Sequence, residues 1–189
     1  MNELDLTTET MFKEPMALGD IFAQSGMFPD IKTKAQAAVK ILAGKELGLS
    51  PFESMASIYI VNGKLALTSK AMASLVKKSK LYDYEVKTLD DKTCTIVFTQ
   101  KGSEDQLMPL GESTFTFADA AKAGLVNKDV WKNYPRNMMF ARALSNGVRW
   151  YCPQVICGYY TVEEVSDFSE ETQASVVEIT TDGEVKKNG

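Results

Sequence analysis

Residues 58–68 read IYIVNGKLALT, two short apolar runs split by Asn62-Gly63. That dipeptide takes the positive φ angles that a two-residue hairpin turn demands, so the stretch predicts a β-hairpin. On its N-terminal side, TKAQAAVKILAGKELG (33–48) opens with Thr33 and Gln36 at capping-box spacing. It predicts a helix with Ala35, Ala38, Val39 and Leu42 on one face, stopped by Gly48. SPFE (50–53) is a second capping box with Pro51 at the first helical position, and predicts a short helix to about Ser57. On the C-terminal side, SKAMASLVKKSK (69–80) predicts a helix capped at Thr68 or Ser69, with Met72, Leu75 and Val76 inward. Lys77, Lys78 and Lys80 at its end suit the helix dipole, and serve equally as a solvated terminus or a phosphate site.

Further along, YDYEVKTL (82–89) and TCTIVFTQ (93–100) alternate and are rich in β-branched residues, which predicts two strands joined at Asp90-Asp91. STFTF (113–117) predicts another strand, ADAAKAG (118–124) returns to helix, and Thr161 with Glu164 forms a third capping box. The order helix, hairpin, helix, meander, helices predicts an α+β domain with a small antiparallel sheet. Residues 1–28 show no sustained period and are expected to form an N-terminal arm, loosely attached, with a short helix in MALGDIFAQSGMF (16–28) ending near Gly26. Residues 169–189, dominated by Ser, Thr, Glu and Lys, are expected to be a disordered acidic tail.

The 189 residues suffice for one substantial core, and 44% hydrophobic content fits a globular chain. No apolar run approaches the roughly 20 residues that span a bilayer, and MNELDLTTETMFKEP is acidic where a leader would be basic. A cytoplasmic protein without a membrane partner is the expectation. There is no histidine, which removes Ser-His and Cys-His nucleophile pairs and the commonest zinc ligand. Cys94, Cys152 and Cys157 match no zinc or redox spacing and are expected to be buried, reduced thiols.

The net charge of −4 is unevenly distributed. From Glu163 onward eight acids face Lys186 and Lys187, a surplus of six negative charges that leaves residues 1–162 at +2. Within 120–160, Lys122, Lys128, Lys132, Arg136, Arg142 and Arg149 face Asp129 alone. The densest part is WKNYPRNMMFARALSNGVRWYCP (131–153). Read as a helix from Met138 to Tyr151, it puts Phe140, Leu144, Gly147, Val148 and Tyr151 on an apolar stripe and Arg142, Ser145, Asn146 and Arg149 opposite. Two guanidinium groups two turns apart, about 10 Å along the axis, can each meet a phosphate of an extended single strand. Trp131, Lys132, Tyr134 and Pro135 just upstream offer rings for stacking. A packed helix with Trp131, Trp150 and Tyr151 in the core and solvated arginines fits the same pattern equally well.

Phe28 to Val165 resembles the RecT/Redβ-type phage single-strand annealing proteins, in their short RecT-like branch. The resemblance is carried by FPDIKTKAQAAVKILAGKELGLSPFESM, by IYIVNGKLALTSKAMASLVKKS and above all by Trp131, Pro135, Met138, Ala141, Arg142 and Ala143, followed by Tyr-Thr-x-Glu-Glu at Tyr160 to Glu164. It implies a 29–168 annealing domain that coats single-stranded DNA as a homo-oligomer, pairs it with a complementary strand, and works beside a phage exonuclease in the bacterial host cytoplasm. It places DNA contact at Arg136, Arg142 and Arg149, with Lys128 and Lys132. Together with Trp131, Tyr134 and Asn146 these make the candidate site. Annealing needs no covalent chemistry, so no enzyme activity, cofactor or metal is expected. The chain is short and acidic for that family.

Two other classes compete. Asp83, Glu85 and Lys87 on a predicted strand, with Pro29-Asp30 upstream, mimic the acid-x-Lys arrangement of Mg²⁺-dependent nucleases, although alternation alone puts all three on a wet face. The acidity fits a phage interaction protein that kept the fold without DNA binding.

Overall fold

A computed structural model of the chain describes residues 3–102 and 106–167. Its elements run α1 (Glu3–Ser25), α2 (Lys34–Glu46), α3 (Pro51–Ser57), β1 (Ile58–Val61), β2 (Lys64–Leu67), α4 (Ser69–Lys78), β3 (Tyr82–Leu89), β4 (Thr93–Lys101), β5 (Leu107–Thr116), α5 (Phe117–Lys122), α6 (Asp129–Asn133), α7 (Pro135–Tyr151), a 3₁₀ turn (Pro153–Val155), β6 (Tyr160–Thr161) and α8 (Val162–Asp167). The α+β class is as the sequence order implies. The expected tail at 169–189 lies outside the described residues.

The hairpin closes at Asn62 and Gly63, whose φ angles of 51° and 72° are the positive values a two-residue hairpin turn demands. It pairs Ile58 with Leu67 and Val61 with Lys64, and gains a third strand when β6 joins β2 in parallel through Ala66–Tyr160 and Leu67–Thr161. The meander forms a second sheet in the order β3-β4-β5, fully antiparallel. Alternation in β4 sends Cys94, Ile96 and Phe98 inward. Helix α7 lies across that inner face of β4 and β5, and α4 packs beside it. The contact is close because Gly147 has no side chain: a Cβ there would come within 2.0 Å of the Phe98 ring. Met72, Val76, Leu144 and Val148 complete this core.

All three expected capping boxes are present. Thr33 exchanges hydrogen bonds with Gln36 and Ser50 with Glu53. The Glu164 amide donates to Thr161 Oγ1 while the Glu164 carboxylate accepts from the Thr161 amide. A fourth, Thr116 with Asp119, starts α5.

Three expectations need correction. The N-terminal segment is a 23-residue helix packed on α2. Gly19 lets the two backbones meet, since a Cβ there would sit 2.6 Å from the Lys34 carbonyl oxygen, and such contact through small residues leaves no apolar stripe for the eye to find. The inner face of α2 is Ala37, Ala38, Lys40, Ile41, Ala43 and Gly44, while Ala35 and Val39 point outward. Lys40, 0% exposed, explains why the pattern misleads. Its ammonium is held by Asp30 at 2.9 Å and the Met55 carbonyl at 3.1 Å, with the Phe28 and Tyr59 rings at 5.8 and 5.3 Å. Burial pushes its pKa down, against the pull of Asp30. Finally, Cys157 is exposed; Cys94 and Cys152 are buried, with thiol pKa values pushed up by burial to about 11 and about 12.

Candidate nucleic-acid interface

The basic segment folds as two helices meeting at Tyr134-Pro135, and their environments divide its residues. Trp131 on α6 is 1% exposed, its ring 6.0 Å from that of Phe115, so it is core and not a stacking surface. Helix α7 is enclosed along most of its length: Met138, Met139, Ala141, Ala143, Leu144, Ser145, Gly147 and Val148 are all buried. The expected apolar stripe does meet the sheet. The opposite side is covered too, by β6 and α8.

That covering corrects the expectation that Arg142, Ser145, Asn146 and Arg149 face solvent. Ser145 is buried, and Arg142 and Asn146 are half-buried. Arg149 is 29% exposed and clamps Glu164, itself 4% exposed: Nη1 donates to Oε2 at 2.9 Å and Nη2 donates to Oε1. The same carboxylate accepts from Ser145 Oγ at 3.0 Å and from the Thr161 amide at 2.9 Å, while Arg149 Nη2 also reaches Asn146 Oδ1 at 3.3 Å. The guanidinium lies 5.3 Å from the Tyr160 ring. Burial alone would raise the Glu164 carboxyl, but the hydrogen bonds and charge of Arg149 and the Thr161 amide outweigh it and hold the pKa below the ordinary value. Arg149 is therefore a strut between α7 and α8. Removing one partner of such a pair strands a buried charge, which costs about 3–5 kcal/mol.

The N-terminal end of the segment is different. Tyr134 is 62% exposed and the Arg136 side chain 60% exposed on the first turn of α7. Lys132 is exposed, 3.8 Å from Asp129, and Lys128 sends Nζ to the Ser166 carbonyl at 3.3 Å. Arg136 Nε donates to Asp91 Oδ1 at 2.7 Å, which brings the β3–β4 turn to this end. Through that turn the structure adds two residues not singled out in the sequence, exposed Lys92, whose carbonyl takes the Phe117 amide at 2.8 Å, and exposed Phe117, which opens α5; Lys122, counted with the basic segment, ends that helix and is exposed. They lie 14 to 44 positions from Arg136, so only the fold could assemble them.

Charge here is interleaved. Lys92, Lys122, Lys132 and Arg136 stand among Asp90, Asp91, Asp119 and Asp129. The amides of Lys92 and Thr93 hold the Asp90 carboxyl below its ordinary range, and Thr116 does the same to Asp119. The surface thus offers individual cations and rings, not a strong positive field.

The lysines at the end of α4 are engaged, Lys77 with Asp83 and Lys78 with Glu53. The residues of the nuclease reading disperse likewise. Asp30 belongs to Lys40 and the Ile60 amide, Asp83 to Lys77, and Lys87 to Glu112. Among the described residues no three His, Cys, Asp or Glu side chains gather into a group that could hold a metal ion. Nor is any helix there long and apolar enough to cross a membrane. Neither the protein-family models nor the curated proteins compared with this chain give a match.

Proposed function

We propose that the protein binds single-stranded DNA and anneals it to a complementary strand, acting as a homo-oligomer and without covalent chemistry. The observation that carries this reading is the exposed trio Lys132, Tyr134 and Arg136, with exposed Lys92 and Phe117 brought toward Arg136 by the β3–β4 turn. Cations alternating with open rings are what a strand with unpaired bases needs, because guanidinium and ammonium groups meet phosphates while any base stacks on an aromatic face. The resemblance of residues 28–165 to the RecT/Redβ-type annealing proteins supports the same reading, and it implies a phage exonuclease as working partner. Phosphates are held, base edges stay free to pair, and the duplex product supplies the driving force. Trp131 packs beneath this end of the surface, and Arg149, thirteen residues further along α7, ties α7 to α8; neither touches the strand.

The interleaved carboxylates favour a second reading, an interaction protein of the same fold that does not bind DNA. Mixing two complementary labelled oligonucleotides at low salt, with and without protein, separates the two: the annealing reading expects faster duplex formation with protein present, and an unchanged rate contradicts it. With Mg²⁺ added and one strand alone, the DNA should keep its full length; shortening would revive the nuclease reading.

A further inference from the structure

Resting on the single-strand-binding reading, we propose that Asp91 is a positioning residue that aims Arg136 at a phosphate. A guanidinium has five N–H donors in a rigid fork, and its Nε edge and its Nη–Nη edge serve two different acceptors. Asp91 Oδ1 takes the Nε–H at 2.7 Å, and among the described residues neither Nη of Arg136 has a hydrogen-bond partner. The outer edge is the one that meets a phosphate bidentately.

Both ends of the pair stand on fixed backbone. The Asp90 amide donates to the Thr93 carbonyl at 3.0 Å, and Asp90 Oδ1 accepts from the Lys92 and Thr93 amides at 2.8 Å each, which locks the turn that carries Asp91. Arg136 follows Pro135, whose ring fixes the entry to α7. An exposed arginine on its own samples many rotamers and loses that freedom on binding. A carboxylate that occupies Nε removes part of that loss in advance.

The idea makes a prediction opposite in sign to simple electrostatics. A carboxylate beside a phosphate-binding arginine repels DNA, so by charge alone Asp91→Ala strengthens binding. If Asp91 positions Arg136, the same change weakens it. The full chain, Asp91→Ala, Asp91→Asn, Arg136→Gln and the Asp91→Ala/Arg136→Gln double variant are compared by fluorescence anisotropy with a labelled oligothymidylate. Melting is followed in parallel. The expected results are a loss of roughly two- to fivefold for Asp91→Ala, the range an exposed ion pair supports. Asp91→Asn should recover most of it, since its amide oxygen still accepts the Nε–H. In the Arg136→Gln background Asp91→Ala should have no effect. Tighter or unchanged binding by Asp91→Ala overturns positioning, and so does an equal loss in the Arg136→Gln background, which would mean an effect through folding. If the unsubstituted chain binds and Arg136→Gln binds equally well, positioning falls while single-strand binding stands. Absence of binding by the unsubstituted chain at low salt overturns both.

Discussion

Arg136 and Arg149 sit on one helix, each with a carboxylate partner, yet they have opposite surroundings. Arg149 reaches inward to a carboxylate that is 4% exposed and already holds donors from Ser145 and Thr161. Arg136 reaches sideways to Asp91 with both side chains mostly in water. The first pair is part of what makes α7, β6 and α8 one body; the second leaves most of its donors for another molecule. Arginine spacing along a helix does not distinguish the two, because burial is decided by what packs on the helix from elsewhere in the chain.

The sharpest way to break this contrast is Arg149→Gln. It strands the Glu164 carboxylate in a buried site, and a loss of about 3 kcal/mol in unfolding free energy is expected, against less than about 0.5 kcal/mol for Arg136→Gln. Equal losses in chemical denaturation would mean that Arg149 is solvated after all. Gly147→Ala comes next: its methyl group would overlap the Phe98 ring and lift α7 off β4, costing about 1–3 kcal/mol. A melting temperature unchanged by this substitution would contradict the close contact on which the enclosure of α7 depends.

Acid acts on the two pairs differently. The folded-state pKa of Glu164 lies below its ordinary 4.5, so its contribution is fully present above pH 4.5 and lost as pH falls through the lowered value. Glu164→Gln should flatten the acid limb of a stability–pH curve, and an identical limb in both proteins would refute the strut. The smallest effect is expected from the C-terminal residues. Ending the chain at Phe168 removes a net negative segment that competes with DNA for cations, so single-strand affinity should rise modestly at low salt and converge with that of the full chain at high salt. Equal affinity at low salt removes the competition idea.

Local chemistry was legible where it is self-contained. Asn62-Gly63 needs positive φ whatever surrounds it, the capping boxes close within four residues, and alternation in β4 reports its own burial. What depends on distant partners was not. Residues 160 and 161 are too few to read as a strand until β2 is beside them, and Ala-rich α2 has two faces of similar apolarity, of which the inner one contains a lysine. In the candidate site, Tyr134 was legible as a ring carried on the Pro135 turn and Arg136 as a cation of the basic segment. Arg149 misled because its partner lies 15 residues on, and Lys92 and Phe117 were invisible because a sheet turn and a separate helix deliver them.

The central claim is that the exposed end of α6–α7, and not the arginine pair along α7, contacts DNA. It is tested most directly by the single-strand affinity of a Lys132→Gln/Arg136→Gln chain measured across a salt series. The expected result is an unchanged melting temperature, weaker binding at low salt for every DNA sequence, and a salt dependence shallower by about 0.7 per lost contact, as for single strands. Affinity and salt slope equal to those of the parent would place the DNA path elsewhere and contradict it.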